Sequence, residues 1–187
     1  MPLFTSKRER RLWIWALVIV VAIYSTLGLA RTLADELRNR ELIDAAFFVG
    51  LFLLMGAVLV QGLKKRPSRD EVGIALAVAG VYLTVMLRML IPEERSHLME
   101  YSVVALFVHE ALLERARHRP VRRPALLAIL ITSVVGVLDE CIQWFLPGRV
   151  FDYRDILFNL LAAVMAVSAS AALRWARRRR WRRGSDK

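Results

Sequence analysis

Apolar residues in this chain come in long runs, not in helical stripes or alternating strands. LWIWALVIVVAIYSTLGLA (12–30) is an unbroken stretch of apolar or small residues. Similar runs follow over 43–63, 72–91, 98–113, 125–146 and 156–173. About 20 residues at 1.5 Å each cross a hydrocarbon core of roughly 30 Å, so runs of this length can span a membrane. A soluble core would show amphipathic periodicity instead. The 98–113 run is short and carries Glu100, Tyr101, His109 and Glu110. It is too polar to face lipid, which places it inside a bundle. The pattern predicts an all-α, polytopic membrane bundle of six transmembrane helices. Residues 1–30 begin basic and turn apolar, as a cleaved signal does, but the run is long for one and reads as a retained helix.

The gaps are polar. RTLADELRNREL (31–42) suits a short helix on the membrane surface, seated by Leu33, Leu37 and Leu42, or a solvated linker helix. KKRPSRDE (64–71), PEERSH (92–97) and ERARHRPVRRP (114–124) read as connections. Three segments result: N-terminal spans over 1–91, a core over 92–173, and a basic tail over 174–187.

Composition agrees with this division. Of 187 residues, 57% are hydrophobic, above the roughly 45–50% of soluble domains. With six spans, the N-terminus, the 64–71 and 114–124 loops and the tail share one side, and they hold 21 of the 28 Lys and Arg. The positive-inside rule makes that side cytoplasmic, with both termini there, in a multi-pass membrane protein. The net charge of +11 therefore reflects topology. In the tail, Arg174, Arg177 to Arg180, Arg182 and Arg183 with Trp175 and Trp181 read as an anchor on anionic lipid, at about 1 kcal/mol per basic residue. No nucleic-acid partner is expected, because no recognition fold is present. Cys141 is the one cysteine. It excludes an internal disulfide, and no CxxC or Cys/His metal spacing exists.

The densest polar stretch is DECIQWFLPGRVFDYRDILFN (139–159), between the last two runs. Polar groups this close to hydrocarbon normally face a protein interior or a water-filled cavity. Three clusters share the outward end. His97, Glu100 and Tyr101 lie on one helix face by their i, i+3 and i+4 spacing. Asp139, Glu140 and Gln143 do the same, with Gly136 one turn below Glu140 and Ser133 below that, small enough for a neighbouring helix to approach. Arg149, Asp155 and Asn159 form the third, and Arg88 near the end of the third run reaches toward the same layer.

Each group also has a plain structural role open to it. Asp152 or Asp155 can cap the last helix. Gln143 and Asn159 can be interhelical hydrogen-bond glue. Arg88 can pair with Glu140 or Asp139, and His97 can be interfacial. His109 and Glu110, about 15 Å along the helix from Glu100, read as interfacial, and Cys141 as packing. Read as chemistry, Arg149 and Arg88 clamp a phosphate, His97 acts as base or nucleophile, and Glu140 or Glu100 orients it. The carboxylates can instead bind a divalent cation through oxygen; no residue is assigned here as a metal ligand, and the cofactor is open. There is no G-x-S-x-G elbow, HExxH or P-loop.

HLMEY (97–101), DECIQ (139–143) and PGRVFDYRDILFN (147–159) together resemble the VanZ-like family, small polytopic bacterial membrane proteins named for one linked to teicoplanin resistance. The resemblance covers about 92–170. It carries over to His97, Tyr101, Glu140, Gln143, Arg149, Asp155 and Asn159, and Glu100 fits a common acidic position. Where the family often has glycine shortly after the Asn, this chain has Ala162 and Ala163. The resemblance implies an all-helical membrane protein of the cell envelope, acting on a lipid or lipid-linked head group. Glycopeptide resistance does not transfer from the motif alone.

Two sets of expectations follow. As an enzyme, a head-group hydrolase or transferase, the protein uses His97, Glu140, Glu100 and Asp155 catalytically and binds substrate through Arg149, Arg88, Tyr101, Gln143 and Asn159. Otherwise it binds an anionic envelope lipid or lipid-linked precursor without catalysis, or serves membrane assembly. Its partners are membrane lipids in each case, and its oligomeric state is open.

Overall fold

The computed structural model describes residues 3–40, 42, 45, 49–50, 68–89, 92–146 and 151–185. Among them the regular elements are helices: α1 (Lys7–Asn39), α2 (Arg69–Arg88), α3 (Pro92–Arg115), α4 (Pro124–Trp144) and α5 (Tyr153–Ser185). All but residues 45 and 49–50 of the expected span over 43–63, and the Pro147–Gly148 turn and Arg149, lie outside the described residues.

Local sequence sets the helix starts. Ser6 and Ser68 each sit just before a helix, and each hydroxyl accepts from the backbone N–H three residues on, at Glu9 (3.0 Å) and Glu71 (3.2 Å). This is the Ser-x-x-Glu capping pattern. Pro92 and Pro124 open α3 and α4, where a missing N–H costs nothing and the fixed φ already suits a helix.

Three boundaries differ from those expected of the apolar runs. α1 continues through the polar 31–39 segment as one helix of 33 residues, about 50 Å long at the helical rise, because Ala, Leu, Glu and Arg there all favour helix. Its end is held by an Arg40–Glu36 pair at 2.7 Å. α3 takes in PEERSH, so His97 lies in its second turn and not in a connection. α5 runs on through the basic segment to Ser185, which makes that segment a continuation of the last helix.

α3 is the central helix, packed against α1, α4 and α5. Leu98, Tyr101, Ser102, Val104, Ala105, Val108, Ala111 and Leu112 on it are all buried. Its placement inside the bundle follows the expectation from its polar residues. The face of α5 against the bundle is built of small residues, Ala162, Ala163, Ala166, Ala169, Ser170 and Ala176, which let backbones approach closely. Ala162 and Ala163 are fully buried, so alanine in place of the family's glycine still permits tight packing.

α4 turns its polar residues inward and its large apolar residues outward. On α4 the buried residues are Ala128, Thr132, Gly136, Asp139, Glu140 and Gln143, while Leu126, Leu130, Val134 and Leu138 are exposed. Only a hydrocarbon solvent makes that distribution favourable. Among the described residues, α2, α4 and the first 27 residues of α5 are each long and apolar enough to cross a membrane.

Candidate functional site

α3, α4 and α5 bring their polar residues together at one end of the bundle. His97 is buried between two carboxylates. Its Nε2 lies 3.5 Å from Asp155 Oδ2, and its Nδ1 lies 3.9 Å from Asp139 Oδ2. Glu140 completes the group: His97, Glu140 and Asp155 each offer one ligand atom within 4.8 Å of the other two. Asp139 and Glu140 are fully buried and Asp155 is half-buried.

The neighbours hold these groups in place. Gln143 Nε2 donates to Glu140 Oε1 at 3.1 Å, and the Asp152 backbone N–H donates to Glu140 Oε2 at 3.2 Å. Asp152 also caps α5, its Oδ1 accepting from Arg154 N–H at 2.8 Å. The capping role open to either aspartate therefore falls to Asp152, which leaves the Asp155 carboxylate to face His97. The Tyr101 ring lies 6.0 Å from the imidazole, tilted by 32°. Glu100 stays half-buried on the same stretch of α3.

Asn159 lies one turn along α5 from Asp155 and is fully buried. Both its amide atoms are without a hydrogen-bond partner among the described residues, so it is not the interhelical glue that its position suggested. It packs on Gly136: a Cβ placed there would lie 2.7 Å from Asn159 Cβ.

Arg88 stands apart. The inward positions of α2 are Glu71, Ala75, Tyr82 and Met86, and Arg88 lies about 200° around the helix from Met86. It is exposed, beside a groove of about 360 Å³ lined also by Thr84, Val85, Met89, Phe158 and Leu161. The expected pairing with Glu140 or Asp139 is absent among the described residues.

The opposite end carries a second polar network. Arg115 Nε donates to Glu9 Oε1 at 2.6 Å, and Thr5 N–H and Oγ1–H donate to Glu9 Oε2 at 2.7 and 2.6 Å. Burial pushes the Glu9 carboxyl up, but the bonds from Thr5 and the Arg115 guanidinium outweigh it and hold the group below its usual 4.5. Glu110 pairs with Arg174 and with Arg8 (3.6 Å), and Glu71 lies 3.7 Å from Arg177. His109 is buried beside this network, because α3 is surrounded by other helices. Arg174 and Arg177 reach acidic residues of α3 and α2. The Ser6-x-x-Glu9 pattern was the sequence signal for the Glu9 end of this network; the distant pairings had none.

Helices with apolar outer faces around a buried histidine–carboxylate cluster define a membrane protein with a polar site at one end of its bundle. The family model for VanZ/LLP1 matches residues 11–174. The chain therefore belongs to the VanZ/LLP1 family, and the match reaches well beyond the 92–170 stretch that carries the motifs. No curated relative and no solved structure matches it.

Proposed function

We propose that this protein acts on the phosphate-bearing head group of a membrane lipid or lipid-linked precursor, hydrolysing or transferring it at the outer face of the bacterial inner membrane. The observation that carries the reading is His97 held between Asp155 and Asp139, with Glu140 alongside, at one end of a bundle whose other faces suit lipid. Nε2 is 3.5 Å from Asp155, and a second buried carboxylate, Asp139, stands 3.9 Å from Nδ1, so the imidazole sits in an acidic surrounding on both sides. An exposed aromatic rim adds support. Trp144, Phe145 and Phe151 flank the site, with ring centres 6.2 and 6.3 Å apart, and aromatic residues favour the depth of lipid head groups. The orientation rests on the basic loops: six spans, both termini cytoplasmic, and the His97 end outward. In this reading Glu140 and Asp155 are the acidic partners of His97, Gln143 holds Glu140 and Tyr101 flanks the imidazole, and Arg149 binds the phosphate.

The test compares membranes containing wild type, His97→Ala or Glu140→Gln, together with mass spectrometry of lipids that co-purify with each. Wild type is expected to change the head-group profile, and both variants are expected to leave it unchanged while staying folded. Identical profiles from wild-type and variant membranes would sink the proposal. The same unaltered ligand on wild type and His97→Ala would make the protein a binder.

A further inference from the structure

We propose that His97, Glu140 and Asp155 form a divalent-metal site, with the imidazole as the nitrogen ligand and one carboxylate oxygen from each acid. The three ligands come from three helices, α3, α4 and α5, so the ion would fasten the polar end of the bundle. Ligands at roughly 2.1 Å from one ion lie at most about 4.2 Å apart. The observed limit of 4.8 Å exceeds that by about half an ångström, within reach of small side-chain rotations. The His97–Asp155 edge, at 3.5 Å, already fits.

Three further features point to an ion. First, His97 has the surroundings of a metal-bound histidine. With Nε2 turned to the site, Nδ1 lies 3.9 Å from the buried Asp139 carboxylate, too far for a hydrogen bond but placed where the carboxylate that fixes a ligating imidazole would stand after a small approach. Second, Glu140 is itself oriented, by Gln143 and by the Asp152 N–H. Third, the buried amide of Asn159, one turn below Asp155, has no hydrogen-bond partner among the described residues. A buried polar group in that condition calls for water or a ligand. Gathering carboxylates away from water is costly, and a divalent cation reverses the sign of that interaction.

The donor set selects the ion. Calcium and magnesium take oxygen ligands, whereas an imidazole with two carboxylates suits zinc or manganese. Three protein ligands leave positions for water or a phosphate oxygen, as in catalytic sites. The ion's use rests on the head-group reading above, but its binding does not. With an ion bound, His97, Glu140 and Asp155 would serve as its ligands, and the ion would share the phosphate with Arg149.

The full chain would be purified in detergent, stripped with EDTA, and titrated separately with MnCl2 and ZnCl2. Metal content after desalting and thermal unfolding would both be read. Wild type is expected to retain one ion per chain and to gain roughly 5 °C or more at saturating metal. Asp155→Asn and Glu140→Gln, near-isosteric changes, should each weaken binding at least about tenfold. Asp139→Asn should weaken it about 10- to 100-fold as a positioning change. Glu36→Gln, at an exposed position of α1 paired with Arg40, should bind as wild type does. Failure of wild type to retain either ion or to shift, or undiminished binding by monodisperse Asp155→Asn and Glu140→Gln, overturns the proposal. Metal bound with no change in lipids would refute the head-group function alone, and lipid turnover by a protein that binds neither ion would refute the metal site alone.

Discussion

Replacing Gly136 with alanine should separate α4 from α5. The added Cβ would lie 2.7 Å from Asn159 Cβ and 2.8 Å from Asn159 Nδ2. Carbon atoms in good contact sit roughly 3.5–4.0 Å apart, so one helix must retreat by about 0.8 Å. The nearer clash is with a Cβ, which no rotamer change can move. Overpacking of this kind costs about 1–3 kcal/mol, offset by about 0.5–1 kcal/mol because alanine favours helix over glycine. A net loss of about 1–2 kcal/mol is expected, measured by thermal or denaturant unfolding in detergent. A double-mutant cycle locates the cause. Asn159→Ala removes Nδ2 but keeps the Cβ, so it should rescue little. Asn159→Gly removes both contacts and should couple to Gly136→Ala by about 1 kcal/mol or more. Because Glu140 lies one turn above Gly136, the retreat should also draw it away from His97 and Asp155. Wild-type stability in Gly136→Ala, or equal rescue by Asn159→Ala and Asn159→Gly, would refute the reasoning.

Two further outcomes are expected. Tyr82→Phe removes the buried hydroxyl pair with Ser102 at 2.8 Å while keeping the ring, and should lower unfolding stability by about 1 kcal/mol. At the other end, Glu9 has a folded-state pKa below its usual 4.5. Its contribution is therefore present above about pH 4.5 and is lost as pH falls through the lower folded value. Arg115→Met should reduce stability at neutral pH and flatten that acid dependence, as read by unfolding from pH 7 to pH 3; an unchanged profile would count against the Glu9–Arg115 bond.

The class of this protein was legible from its runs of apolar residues, because a bilayer imposes a length and a composition on any helix that crosses it. The helix faces that meet at the His97 end were legible in part. His97 and Tyr101, Glu140 and Gln143, and Asp155 and Asn159 each share a helix face by spacing alone, and spacing is local. Helix ends were legible where a capping serine or an opening proline marked them, and less so where an apolar run passed into polar residues that also favour helix, as in α1 and α5.

Tertiary structure decided what meets what. It turned Arg88 outward, because α2 buries the stripe through Tyr82 and Met86. It gave the cap to Asp152 and left Asp155 to face His97. It placed Asp139 behind the imidazole, Asn159 against Gly136, and Glu110 beside Arg174, 64 residues away. Helical periodicity fixes the face on which a residue lies, but not the helix that face will meet. That is settled by which small and large side chains pack together, and here it gathered polar groups from three helices into one site.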